Sequence, residues 1–342
     1  MIVEGTVLRG PEFEPIEGRV VYEDGRIEAI EEASTTSDRI VAPAFVNAHT
    51  HIGDSIAKEA GRGLTLEELV APPDGLKHRL LRESDRDEMV AAIRRSVEFM
   101  RSGGVTGFLD FREGGADGVS VLREAADGLP VDAFAMGRDE LAALEVGDGY
   151  GASGAADDDF ARERDAAREV GKPFGIHAGE NRTDDIVPAL DLEPDYLVHM
   201  VNASAEHLDR VEKQEVPVVV CPRANLVTNV GLPPIEDLVE RTSVALGTDN
   251  VMLNSPSMFR EMEFAAKFTD LDAPEVLRMA TRAGAEIAGI DAGTIEEGRE
   301  ARLLVLDGDS DNLSGVRDPV RAVVRRAGVA DVLNVIHPAQ HN

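Results

Sequence analysis

The chain has no tryptophan, one cysteine and very few lysines, and none of its 342 residues lie in an apolar run approaching the ~18 needed to span a membrane. A lone cysteine, Cys221, excludes an internal disulfide, and its place inside an apolar run makes it a small core residue rather than a nucleophile. The opening Met1-Ile2-Val3-Glu4 lacks the basic start and apolar stretch of a signal peptide, so a cytoplasmic protein is expected. Cations are scarce altogether: 35 Lys and Arg, of which five are Lys, face 65 Asp and Glu, for a formal charge of −30. Such a field repels nucleic acid and anionic membranes, and neither is expected as a partner. The acidic residues form no tail; Asp157-Asp158-Asp159 is among the longer runs. An acidic, lysine-poor surface of this kind suits a salt-adapted (halophilic) protein, whose self-repulsion is screened within ~3 Å at about 1 M salt. Full stability and activity of the purified protein without added salt would contradict that expectation.

What is present is core. Hydrophobic residues make up 43% of the chain, and the length suits a barrel of ~250 residues with a minor domain. Short strands are predicted at Gly5–Arg9, Arg19–Glu23 and Arg26–Glu31, the last two joined by an Asp24-Gly25 turn. From Val41 the pattern changes. Apolar runs at Ala44–Ala48, Val105–Asp110, Val131–Met136, Pro173–His177, Tyr196–Met200, Val216–Cys221 and Val244–Gly247, with a weaker one near Val146–Ser153, alternate with helical periods. Helices are predicted at Asp85–Ser102, Gly118–Gly128, Asp157–Val170, Ala205–Glu215 and Pro274–Ala288. About eight strand–helix units, with strands apolar on both faces, predict an α/β fold, a TIM (β/α)8 barrel over residues 43–291. Strand patterns return at Arg302–Asp307 and Val320–Val324, so residues 1–42 and 292–342 are expected to form one small composite β domain.

Barrel enzymes carry their chemistry at the C-terminal ends of the strands. The first apolar run ends Asn47-Ala48-His49-Thr50-His51, the fifth His177-Ala178-Gly179-Glu180, the sixth holds His199, the seventh ends Cys221-Pro222-Arg223-Ala224-Asn225, and the eighth Gly247-Thr248-Asp249-Asn250. On a strand, His49 and His51 point to the same side. With His177 and Asp249 from the same rim they offer three nitrogens and a carboxylate, a set suited to Zn²⁺ or Fe²⁺ rather than Mg²⁺ or Ca²⁺. A His-x-His pair alone is common; the weight lies in four of the eight histidines ending inferred strands, whereas His78, His207, His337 and His341 fall in helices, loops or the tail.

These motifs resemble a known family. Val41 to His51 is similar to the opening strand of the amidohydrolase superfamily, most closely its aminohydrolase and chlorohydrolase branch, which includes cytosine, guanine and adenosine-type deaminases. His177-Ala178-Gly179-Glu180, the Cys221–Asn225 segment followed by Gly231-Leu232-Pro233-Pro234, Gly247–Asn250, and Gly293–Gly298 with Leu303–Asp307 resemble its later landmarks, in order. The resemblance implies one divalent metal ion, Zn²⁺ or Fe²⁺, on His49, His51, His177 and Asp249. Glu180 would carry protons between the attacking water and the leaving nitrogen, and His199 would touch the water or the adduct. Binuclear members carry a bridging lysine at the fourth strand; here no lysine lies between Lys77 and Lys172, which argues for one ion. Arg302 stands where the family usually has an acidic residue.

The expected activity is metal-dependent deamination of a nucleobase, nucleoside or related N-heterocycle, catalysed by Glu180, His199 and Asp249. Hydrolysis of a cyclic amide or other C–N bond is the alternative within the superfamily, and a non-catalytic metal-holding scaffold the alternative outside it. Candidate substrate contacts are Arg112 beside Glu113, Lys77 and Arg79 in the loop opened by Pro72-Pro73-Asp74-Gly75, and Asn254 and Ser255. That loop reads as a lid whose basic residues would meet a carboxylate or phosphate. The lid and β domain leave a homodimer open.

Overall fold

A computed structural model describes residues 1–71 and 73–341, and no side-chain account covers residues 340 and 341. Pro72 and the side chain of His341 thus lie outside the described residues.

Two sheets organise the chain. The first has six strands, β1 (Ile2–Arg9), β2 (Glu14–Glu23), β3 (Arg26–Glu32), β4 (Ile40–Pro43) and, from the far end of the sequence, β14 (Leu303–Leu306) and β15 (Val332–Ile336). Alternation buries Val3, Val7, Val20 and Ile27 against Val41, Leu303 and Val305. The second sheet is parallel: β5 (Phe45–His51), β6 (Val105–Arg112), β7 (Asp132–Gly137), β8 (Gly149–Ala152), β9 (Phe174–Ala178), β10 (Tyr196–His199), β11 (Val218–Val220), β12 (Val244–Leu246) and β13 (Asp249–Asn250). The last two are halves of one strand. β12 pairs with β11, β13 pairs with β5 through Asp249 opposite Thr50, and Thr248 N donates to His49 O at 3.0 Å, so eight strands close into a ring. Val46, Leu109, Val198, Val219 and Ala245 fill its interior, and the helices pack outside.

Elements at the edges differ from expectation. Residues 320–324 are not a strand but lie in the helix Pro319–Arg325. Their β-branched composition is overridden by a start signal: the Asp318 side chain accepts from Arg321 N at 2.9 Å and Pro319 takes the first helical position. Val320, Val323 and Val324 then bury against the helices Met258–Phe268 and Ala273–Ala280, so this part of the C-terminal segment belongs to the barrel's outer layer. β14 (Leu303–Leu306) pairs instead with β15 (Val332–Ile336), whose alternation the sequence barely signals. The helix predicted over Pro274–Ala288 breaks at Thr281, whose ψ of −85° ends one helix and starts another.

Candidate metal centre and active site

The C-terminal ends of β5, β9, β10 and β13 converge on one point. Between Asn47 and Thr50, β5 advances three residues while β6 advances two, a bulge that kinks the strand beside the site. His49 and His51 then lie with ring centroids 4.9 Å apart, and His177 sits 5.0 Å from His49 and 5.3 Å from His51. Phe111 of β6 backs the cluster, 4.6 Å from the His49 ring. Gly247 makes room: a Cβ there would lie 2.7 Å from His49 Cβ and 3.0 Å from its backbone N. His199 (φ 81°) and Asp249 (φ 57°) hold left-handed backbone, a cost of about 1–3 kcal/mol each that surrounding structure must sustain.

The hydrogen bonds fix where the ring protons are. His51 Nδ1 faces two acceptors, Glu113 Oε1 at 2.8 Å and Phe111 O at 3.1 Å, so it carries the proton and leaves a lone pair on Nε2. His177 Nδ1 donates to Ala152 O at 2.8 Å, with the same consequence. The two Nε2 lone pairs face each other at 3.3 Å. Fully buried His49 has no close hydrogen-bond partner at either nitrogen, and its Nε2 lies 3.4 Å from Asp249 Oδ1, a contact that favours the ionised carboxylate. Burial disfavours every imidazolium: His49 is lowered, His177 well lowered, and His51 is pushed down to about 3 by burial and then by nearby Lys77. Burial works against ionised Asp249, but the surrounding imidazoles outweigh it and keep its carboxyl below the usual range. The Nε2 lone pairs of His51 and His177, turned on one another with no proton between them, are repulsive unless a cation sits among them. The donor set fits a divalent ion of nitrogen and oxygen preference. Nδ1 bonds of this kind orient metal-binding histidines generally.

Beside this cluster stand two further ionisable groups. Glu180, just past β9, has Oε2 3.7 Å from His199 Nε2, and burial raises its carboxyl above the ordinary value while His199 opposes the shift. Asn225 Nδ2 donates to His199 Nδ1 at 3.1 Å, which leaves the Nε2 proton facing Glu180.

A cavity of about 330 Å³ opens above, lined by His51, Lys77, Arg138, His177, Glu180 and Asp249 among others. Of the candidate substrate contacts only Lys77 reaches it. Arg112 turns away under Gly53, donating from Nε to Gly118 O at 3.0 Å, with Nη1 3.8 Å from Glu113 Oε2. Exposed Arg79 donates to Asp74 O within the lid. Ser255 O accepts from Arg223 Nη2 at 2.6 Å, and Asn254 N bonds Asn250 O; neither residue lines the cavity. Arg223 holds buried Glu261 at 2.7 Å, a framework role. Of the remaining histidines, His78 bonds Val70 O, His207 caps its helix through Ser204, and His337 is buried near Asp132. Cys221 is buried, which pushes its thiol up. Two residues escaped the sequence reading as site residues, Glu113 and Arg138. Each directly follows a barrel strand, β6 and β7, so the strand-end criterion applied to all eight runs would have found them.

The match to known proteins is extensive. The amidohydrolase family model matches residues 40–172 and 147–336. A protein of Methanothermobacter thermautotrophicus that carries the provisional name aminohydrolase is 36% identical, over 98% of this chain and 97% of its own. A 5-methylthioadenosine/S-adenosylhomocysteine deaminase of Haloarcula marismortui is 28% identical, over 98% of this chain and 90% of its own. Among solved structures, an adenosine deaminase of Xanthomonas campestris with bound zinc superposes with a TM-score of 0.80 at 20% identity, over 98% of this chain and 91% of that one.

Proposed function

The chain belongs to the amidohydrolase family, and from that premise we propose that it is a metal-dependent aminohydrolase, releasing ammonia from a nucleobase, nucleoside or related N-heterocycle. The observation that carries this reading is the pairing of the His49–His51–His177–Asp249 cluster, in which the Nε2 lone pairs of His51 and His177 turn inward, with Glu180, a carboxylate close by on the cavity wall. The four cluster residues would hold one divalent ion, Zn²⁺ or Fe²⁺ by the nature of the donors, and no lysine ends the fourth barrel strand to bridge a second. When bound, the ion supplies Lewis acidity that makes water nucleophilic near neutral pH.

The chain's own residues do the rest. Asp249 accepts a hydrogen bond from the attacking water and orients it toward the ring carbon. Glu180 takes the water's proton and delivers it to the departing amine, and its raised pKa suits both halves of that exchange. His199 donates from Nε2 to the oxygen that gains charge at the tetrahedral carbon, held by Asn225 behind it. The lid that carries the buried Lys77 excludes bulk water.

The test is an ammonia-release screen of zinc-loaded protein in high salt. Purines, pyrimidines and their nucleosides are set against ring amides such as hydantoins. Ammonia from the first group is the expected result. Ring opening without ammonia would select the cyclic-amide reaction, and turnover of neither group would remove the enzymatic reading.

A further inference from the structure

The one buried side chain of the lid helix Leu76–Glu83 is a lysine. Lys77 is 2% exposed, while Leu76 and Leu80 of the same helix are only partly buried, beside Leu69 and Met252. Lys77 Nζ lies 2.6 Å from Glu113 Oε1. The same oxygen accepts from His51 Nδ1 at 2.8 Å. Glu113 is itself buried, its Oε2 has no hydrogen-bond partner, and Arg112 and Arg138 stand off from the carboxylate at 3.8 Å. Lid, carboxylate and proposed metal ligand therefore meet at a single atom. A helix that needed only an anchor would be served as well by an apolar side chain, since a buried ion pair is seldom more stabilising than well-packed apolar residues of the same volume.

The strength of His51 as a donor depends on what its Nδ1 proton meets. A full carboxylate draws on that proton, enriches the ring and makes Nε2 more basic. A backbone carbonyl does so less, and Phe111 O shares the proton at 3.1 Å. An ammonium group on the carboxylate oxygen takes up part of its charge, so Glu113 with Lys77 in place acts on His51 more as a carbonyl does. The charge of Lys77 also opposes a cation in the cluster directly, in surroundings where little water screens it.

Resting on the ligand set proposed above, we infer that Lys77 is a positioning residue which, seated on Glu113, tempers His51 as a metal ligand, so that the position of the lid sets the Lewis acidity available in the cavity. Lys77 lines the cavity as well, so enclosing a substrate and sharpening the site go together. With the lid helix lifted, Glu113 bears fully on His51, which then holds the ion more firmly while the cavity is open to water.

The experiment measures zinc affinity without substrate, by competition with a chromophoric chelator at one fixed salt concentration, and ammonia release in parallel. Lys77→Met keeps the length of the side chain and removes its charge. It should bind zinc about tenfold more tightly than wild type, and turn over more slowly at saturating substrate. Glu113→Gln should bind zinc about tenfold more weakly. With Gln at 113, adding Lys77→Met should change zinc affinity by less than about threefold, because the two residues act through one contact. Lys77→Arg should restore most of the wild-type affinity. If circular dichroism shows that Lys77→Met does not fold, Lys77→Gln takes its place with the same expectation. Zinc affinity that is unchanged or weakened on removal of the lysine charge overturns the inference, as does equal tightening with and without Glu113. The expected zinc affinities in protein that releases ammonia from no substrate would remove the deaminase reading alone. Wild type that binds no zinc would overturn both.

Discussion

Glu180→Gln is expected to abolish turnover while sparing the metal. The amide is isosteric, so the cavity keeps its shape, but it can neither take a proton from water nor pass one to a departing amine. General acid–base catalysis contributes about 10²–10⁴-fold, and with both transfers assigned to one carboxylate the loss should lie at the upper end. Metal content, measured by atomic absorption, should match wild type, because the four proposed ligands are untouched. The Glu180–His199–Asp249 group is close enough to offer ligand atoms of its own, and this variant tests whether it does. Turnover within a few-fold of wild type would rule out the proton-transfer role, and a parallel fall in metal content would turn Glu180 into a ligand.

His49→Ala carries the second large effect, with metal and activity disappearing together. With one of three imidazoles gone, the ion should wash out on dialysis and ammonia release should drop by about a thousandfold or more. The metal-free proteins should behave differently. In metal-free wild type, the polar contact of His49 is the one to Asp249 at 3.4 Å, so its removal costs packing and that contact alone. Metal-free His49→Ala should therefore melt within a few degrees of metal-free wild type, while added zinc raises the melting temperature of wild type alone. A collapse of the metal-free variant would mean that His49 is chiefly a structural residue.

The barrel was legible because its strands are apolar on both faces and its helices are amphipathic, two periods that hardly overlap. His49, His51, His177, His199 and Asp249 could be placed together before any coordinates, because each ends such a strand. Legibility failed where local signals compete. The run from Val320 to Val324 has strand composition, and only Asp318-Pro319 ahead of it announces a helix. Substrate contacts failed for another reason. Arg112 and Arg138 both stand at strand ends, but which one faces the cavity depends on the close approach of Gly53 to Arg112, a packing detail with no signature in either residue. Lys77 and Arg79 stand out together because cations are rare; of the two, only Lys77 lines the cavity.

The most direct test of the account is a zinc titration of metal-free protein in high salt, following ammonia release from the best substrate of the screen. Activity should rise linearly and break at one ion per chain. A break at two ions, or full activity in rigorously metal-free protein, would contradict it.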